Sequence, residues 1–256
     1  MSHETLARKV VLEFSKTTMA DFQPIYSSYD EPYLREMRSR FQLLEKTAKV
    51  QDSYSKVRIL TQWVHGLWQH DGVNQPESSD PISIIEQALQ GQRFRCVEYS
   101  IVLNAVLNAV GLVSRILWLA RADVETRESG AAHAVTEFFS PDLNKWIMVD
   151  PQMGVMVCKD NMPLSAIELQ AEIVLNSKLE QSDETSELPM SYFEWIYPYL
   201  FYFVISYDAR INPEKPQSGQ LMLVPIGENQ PKVFQKKLPI KVNCTHLLAD
   251  FYQKPA

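Results

Sequence analysis

The chain has 256 residues, 45% of them hydrophobic and 22% charged, with a formal net charge of −6. That composition and length describe an ordinary globular protein of one large domain, or a domain with a modest appendage. Its 25 basic residues are scattered among 31 acidic ones, which excludes the concentrated positive surface that a nucleic-acid partner needs.

The first ninety residues carry helical signals. Across residues 33–50, Leu34, Met37, Phe41, Leu43 and Leu44 fall at helical spacing, which predicts one helix. Asp52 and Ser53 are N-cap candidates for a second helix running to about Trp68. Gly72 and the polar run to Asp80 interrupt the pattern. Asp80-Pro81 restarts it, because an acidic cap is followed by a proline whose missing N–H costs nothing in the first turn. That short helix should stop near Gly91. From Cys96, the residues Tyr99, Val102, Leu103, Val106, Leu107 and Val110 lie three and four apart before Gly111. The pattern predicts an amphipathic helix with a glycine at its C-terminal end.

A strand is expected over 112–119, a charged turn over 122–130, and two strands over 133–139 and 145–150 joined by the turn residues 140–144. Beyond Asp150 the pattern predicts a helix over 163–175, an exposed acidic loop over 177–189 and a buried aromatic run over 192–207. Strands are then expected over 221–226 and 237–242. The chain thus divides into an N-terminal helical region (1–52), a central core (53–176) and a C-terminal extension packing on that core (177–256), or forms one single domain of the three.

Cys96, Cys158 and Cys244 lie far apart and form neither a disulfide framework nor a Cys-x-x-Cys zinc pair. The opening residues 1–16 contain no apolar run of the signal-peptide kind. The most apolar stretch, 192–207, is too short for a bilayer and contains Glu194 and Pro198. A reducing, cytoplasmic location without a membrane partner is expected.

A thiol is a useful nucleophile only as thiolate, and the start of a helix favours that charge through its unpaired N–H groups and dipole. Cys96 stands at such a start; Cys158 and Cys244 do not. A cysteine nucleophile also needs an imidazole, and the imidazole needs a third group to orient it. His133 and Asp150 bracket the predicted hairpin, whose midpoint falls at 141–142, so a symmetric hairpin sets them opposite or nearly opposite each other. Taken singly, Cys96 is as readily a buried structural thiol as a nucleophile, and His133 and Asp150 are each more simply structural residues; together they form a candidate constellation.

The stretch from Gly91 through Cys96 to Arg115, the segment from His133 to Glu137, and Lys145-Trp146 running to Asp150-Pro151 resemble the three signature blocks of transglutaminase-like proteins, in order and at compatible spacing. The resemblance covers roughly 56–153. It implies an α+β fold with a papain-like core, in which the Cys96 helix packs on an antiparallel sheet. It further implies Cys96 as nucleophile, His133 as general base and acid, and Asp150 as the orienting carboxylate. Phe94 and Arg95 stand where many members have glycine, and Val97 where the animal crosslinking enzymes have tryptophan. No calcium loop of the EF-hand type is present, and no cofactor is implied.

Lesser candidates surround this set. Gln90 and Gln92 are possible side-chain donors to an oxyanion. Glu98 suits the helix N-terminus or a substrate contact. Trp63 suits the core, His65 a packing or surface position, and Trp68 and His70 the lining of a cleft. His70 with Asp71 is too small a ligand set for a metal, so none is expected. The implied reaction is thiol-dependent acyl transfer on a peptide or an amide-bearing small molecule. The alternatives are a non-catalytic binding module of the same fold and an arylamine N-acetyltransferase-like enzyme. The second is weakened by the missing arginine–glycine–glycine run before Cys96.

Overall fold

The computed structural model describes residues 9–17, 23–181 and 190–255. Two helices begin at the aspartate caps that the sequence offers. Asp52 accepts from the Ser55 N–H at 2.7 Å to open α3 (Ser53–His65), and Asp80 accepts from the Ser83 N–H at 2.7 Å to open α4 (Pro81–Leu89). The single helix expected over 33–50 is two, α1 (Pro32–Arg40) and α2 (Leu43–Thr47), broken at Gln42, whose φ is +51°. The break turns Leu34 and Met37 of α1 and Leu43 of α2 into the same core.

The Cys96 helix, α5 (Cys96–Ala109), is not amphipathic as expected. From Glu98 to Ala109 every residue except Ile101 is buried. It lies between α1, α3 and α4 on one side and the sheet on the other, so no flank is left to water. Gly111 follows it with φ +82°, the left-handed conformation that a glycine accepts without strain.

The sheet has six strands in the order β11-β8-β7-β1-β2-β3. These are β1 (Ser114–Ala120), β2 (Ala132–Ser140), β3 (Lys145–Val149), β7 (Tyr202–Ser206), β8 (Gln220–Leu223) and β11 (Asn243–Thr245). All neighbours run antiparallel except β11 and β8, which are parallel. Alternation splits each strand between two cores. Phe138, Ile147 and Val149 face the α5 side, while Leu117, Val135 and Met148 face α6 (Ala166–Val174), α7 (Met190–Ile196) and α8 (Leu248–Phe251). The architecture is α+β, with the Cys96 helix packed on a largely antiparallel sheet.

Several expectations after Asp150 and before α1 change. β7 sits inside the sheet beside β1, so residues after 177 supply strands to the same sheet as β1–β3. The helix expected over 163–175 begins later, because Met162–Pro163 is a short strand β5 paired with β4 (Val157–Lys159). Part of the expected loop over 177–189 is also a strand: β6 (Glu180–Gln181) pairs with β4, and 182–189 lie outside the described residues. Within 237–242 only β10 (Leu238–Pro239) forms, paired with β9 (Val233–Phe234), and the sheet strand is β11 just after it. The N-terminal region is not wholly helical. Ser15 bridges Leu247 and Ile25 bridges Asp208, both in parallel, with four backbone hydrogen bonds of 2.8 Å. Among the described residues no helix is long and apolar enough to cross a membrane.

Candidate active site

Cys96 is the first residue of α5 and half-buried. No serine or aspartate caps this helix. Instead Glu98 reaches back, accepting from the Arg95 N–H at 3.0 Å and from Arg95 Nη2 at 2.7 Å. Glu98 is thereby buried and used as a cap, which leaves it no free oxygen face for a substrate.

His133 lies on β2 and Asp150 just past β3. The hairpin closes at Ser140 and Lys145, with Thr136 opposite Val149. Carried one step further, that register sets Asp150 opposite Val135, so His133 is its diagonal neighbour and not its opposite. The four-residue turn 141–144 displaces the register from the symmetric expectation. Parity is kept, so both side chains share a face and still meet: His133 Nε2 is 2.9 Å from Asp150 Oδ2.

Asp150 is fully buried, and its oxygens are filled. Oδ2 also accepts from the Tyr192 hydroxyl at 3.4 Å, and Oδ1 accepts from the Met153 N–H at 3.2 Å. The turn that follows is pinned by α3. Gln62 Nε2 donates to Gly154 O at 2.8 Å, and His65 Nδ1 lies 2.9 Å from Gln152 O. His65 thus packs as expected, against the turn that carries Asp150.

With Nε2 engaged by Asp150, the other ring nitrogen of His133 is the one left for Cys96, and the His133 ring and the Ala134 backbone N–H both favour the charged form of that thiol. Burial pushes the Cys96 thiol up, but the His133 hydrogen bond and charge, with the Ala134 N–H, outweigh it and hold the thiol below 9.0. Burial likewise pushes His133 down, and the Asp150 carboxylate reverses this, raising it from 6.5 to about 10. Cys158 and Cys244 are both pushed above 9.0, chiefly by burial. Cys96 therefore differs in kind from the other two.

The lesser candidates separate. Gln90 ends α4 and Gln92 follows it; both are exposed, and neither side chain hydrogen-bonds among the described residues. They give no support to an oxyanion role. Trp68 is buried in the core, its ring centroid 4.2 Å from that of Tyr99 and 5.6 Å from that of Phe94, and does not line a cleft. His70 is exposed, on a loop stapled to the segment before Cys96 by the Asp71 N–H to Phe94 O and Asn74 Nδ2 to Arg93 O. Partial burial, and then the nearby charge of His133, hold His70 below 6.5. His70 is therefore within electrostatic reach of the His133–Asp150 pair. Trp63 packs on Phe41 at 6.0 Å between centroids, at the edge of the core.

Sequence reasoning did not single out Trp195 and Tyr199. Their ring centroids lie 4.9 Å and 5.9 Å from that of His133. The aromatic run 192–207 was a visible signal, but nothing in its spacing says which ring meets His133.

Comparison with known proteins agrees with this arrangement at the level of the core. Residues 42–151, less than half of the chain, match the model of the transglutaminase-like superfamily. That segment, which carries Cys96, His133 and Asp150, is similar to a transglutaminase-like core. No curated protein matches the sequence. Among solved structures, a provisionally assigned cysteine protease from Cytophaga hutchinsonii is similar at 15% identity and a TM-score of 0.38, over 55% of this chain and 46% of that one. The periplasmic domain of TgpA from Pseudomonas aeruginosa, bound to ethylmercury, is similar at 20% identity and 0.37, over 46% and 45%. A structure described as a TGase is similar at 19% and 0.35, over 48% and 32%. The chain thus spans under half the length of these proteins, and TM-scores below 0.5 carry no information on its reaction.

Proposed function

We propose that the protein performs thiol-dependent acyl transfer on an amide or peptide bond, with Cys96, His133 and Asp150 as its catalytic set. The observation that carries this reading is the buried His133–Asp150 pair at 2.9 Å beside a half-buried thiol at the start of α5, an arrangement that lowers the thiol and raises the imidazole. In that state the resting pair is a thiolate beside an imidazolium. The thiolate adds to the carbonyl carbon, and the first N–H of α5, which has no helical partner, faces the developing oxyanion. The C–N bond then breaks as His133 gives its proton to the departing amine, leaving a thioester on Cys96. Water or a second amine, deprotonated by His133, attacks the thioester and releases the thiolate. Water makes the protein a peptidase or amidase; an amine makes it a transferase. Asp150 holds the ring orientation throughout and stabilises its charged form. The chemistry needs Cys96 reduced, which suits a reducing compartment such as the cytoplasm.

The test is acylation by p-nitrophenyl acetate, followed by intact mass and peptide mapping. One acetyl group on Cys96 is expected, absent in Cys96→Ser and at least about a hundredfold slower in His133→Ala. Acetylation spread equally over the three cysteines would overturn the assignment and favour a binding module.

A further inference from the structure

Asp150 is fully buried, and among the described residues its one ion pair is with His133. Its Oδ2 oxygen, 2.9 Å from His133 Nε2, also accepts from the Tyr192 hydroxyl at 3.4 Å. Tyr192 stands on α7, well beyond the matched residues 42–151, and is itself 2% exposed. Its ring packs against Phe193 and Trp195, with centroids 5.6 and 6.2 Å away. Burial, and then the Asp150 charge, hold the phenol well above 10. The hydroxyl therefore stays a neutral donor throughout the range in which cysteine and histidine titrate.

Given the acyl-transfer reading, on which this inference rests, the reaction gives that hydroxyl a task. Once His133 has handed its proton to the departing amine, the ring is neutral and Asp150 is a buried charge with no cation bonded to it. A buried carboxylate in that state is costly unless hydrogen bonds hold it. The donors that remain are the ring N–H, the Met153 N–H on Oδ1 and the Tyr192 hydroxyl on Oδ2. Of these, the hydroxyl alone comes from outside the β2–β3 hairpin and the turn that follows it. We infer that Tyr192 is a positioning residue that holds the Asp150 charge while His133 is neutral, and so keeps the ring able to release its proton and to act as base towards water or an amine. Without the hydroxyl, the carboxylate leans harder on the imidazolium and keeps the proton on the ring. The other titrating groups that act on the pair are Cys96, at the start of α5, and His70, on the loop before it. A Tyr192→Phe substitution leaves both in place.

The experiment compares the wild type with Tyr192→Phe, which removes one oxygen and keeps the ring. Cys96 is acetylated with p-nitrophenyl acetate, excess reagent is removed, and loss of the acetyl group to water is followed by intact mass across pH. Alkylation of Cys96 by iodoacetamide, which needs the thiolate but no proton transfer by His133, is measured beside it. In Tyr192→Phe, deacylation should slow by about tenfold on the acid side of its pH profile, as the midpoint rises by roughly one unit, the effect of one hydrogen bond to a charged group. Well above both midpoints the two deacylation rates should converge, and the iodoacetamide rate should stay close to that of the wild type. A deacylation profile unchanged in Tyr192→Phe would overturn the inference. So would a fall at every pH with no movement of the midpoint, or an equal loss of alkylation, either of which would make Tyr192 only a packing residue. Failure of the acyl-transfer reading is separable, since the wild type would then carry no acetyl group on Cys96.

Discussion

Along one face of β2, Glu137 and His133 each hold a charge partner from a neighbouring strand, and the two pairs differ in what closes them. Glu137 faces Arg115 across β1, with Nε and Nη2 donating to Oε2 at 3.1 and 2.8 Å. The third guanidinium nitrogen donates to Phe251 O at 3.0 Å, and the Tyr252 hydroxyl donates to Glu137 Oε1 at 3.0 Å. The guanidinium also lies over the Trp146 ring at 4.1 Å. Its polar groups have protein partners, and the C-terminal residues seal it. His133 and Asp150 are just as buried, and the carboxylate is just as fully used, but one nitrogen of the ring leads to a half-buried thiol. The same physics of a buried pair gives a rivet in one place and, with one end left open, a chemical group in the other. The tail of the chain decides which: α8 closes the first pair, while α7 only leans Trp195 against the second.

The comparison breaks most sharply under substitution of the carboxylates. Asp150→Asn should cut the rate of Cys96 acylation per folded molecule by about 10³- to 10⁴-fold, because the amide can no longer hold the ring's orientation or its charge. Acylation near the wild-type rate would reduce Asp150 to a strand-end residue. Glu137→Ala should do the reverse. It strands a buried guanidinium and should cost about 3–5 kcal/mol in a denaturant titration, while the folded fraction acylates as before. Replacing both partners, Arg115→Met with Glu137→Leu, should recover much of that loss. A double variant no better than the single one would show that the Arg115 bond to Phe251 O matters more than the ion pair.

A smaller effect sharpens the role of α3. Gly154, in the turn behind Asp150, has φ +67°, and a Cβ there would lie 3.1 Å from the His65 ring. Gly154→Ala should therefore cost about 1–2 kcal/mol through strain and crowding. If α3 sets the position of Asp150, acylation should slow in the same variant.

The sequence made some of this legible and hid the rest for physical reasons. The caps at Asp52 and Asp80 and the start of the Cys96 helix are local signals, readable from a few residues each. The hairpin was visible, but its register was not, because the number of residues spent in the turn is set by φ-positive positions such as Asn144 at +49° and not by symmetry. The break at Gln42 was hidden in the same way, since no glycine marks it. The N-terminal strand-like run pairs with residues near 208 and 247, and no local period records a partner so remote. The burial of α5 on all sides likewise depends on three helices packing over it. Of the site, Cys96, His133 and Asp150 were all visible as candidates and Glu98 as a residue suited to the helix N-terminus, whereas the choice between that role and a substrate contact, and Trp195 as a neighbour of His133, required the fold.

The pH dependence of iodoacetamide labelling at each cysteine, in the wild type and in His133→Ala, tests the central claim most directly. An acid whose pKa is lowered reacts at lower pH, so the Cys96 rate should rise through a midpoint below 9.0, while Cys158 and Cys244 rise only above it. In His133→Ala the Cys96 midpoint should move up towards the other two, since burial then acts on the thiol without the imidazolium to offset it. A Cys96 profile that coincides with those of Cys158 and Cys244, or that does not change in His133→Ala, would contradict the thiolate–imidazolium pair and with it the proposed acyl-transfer chemistry.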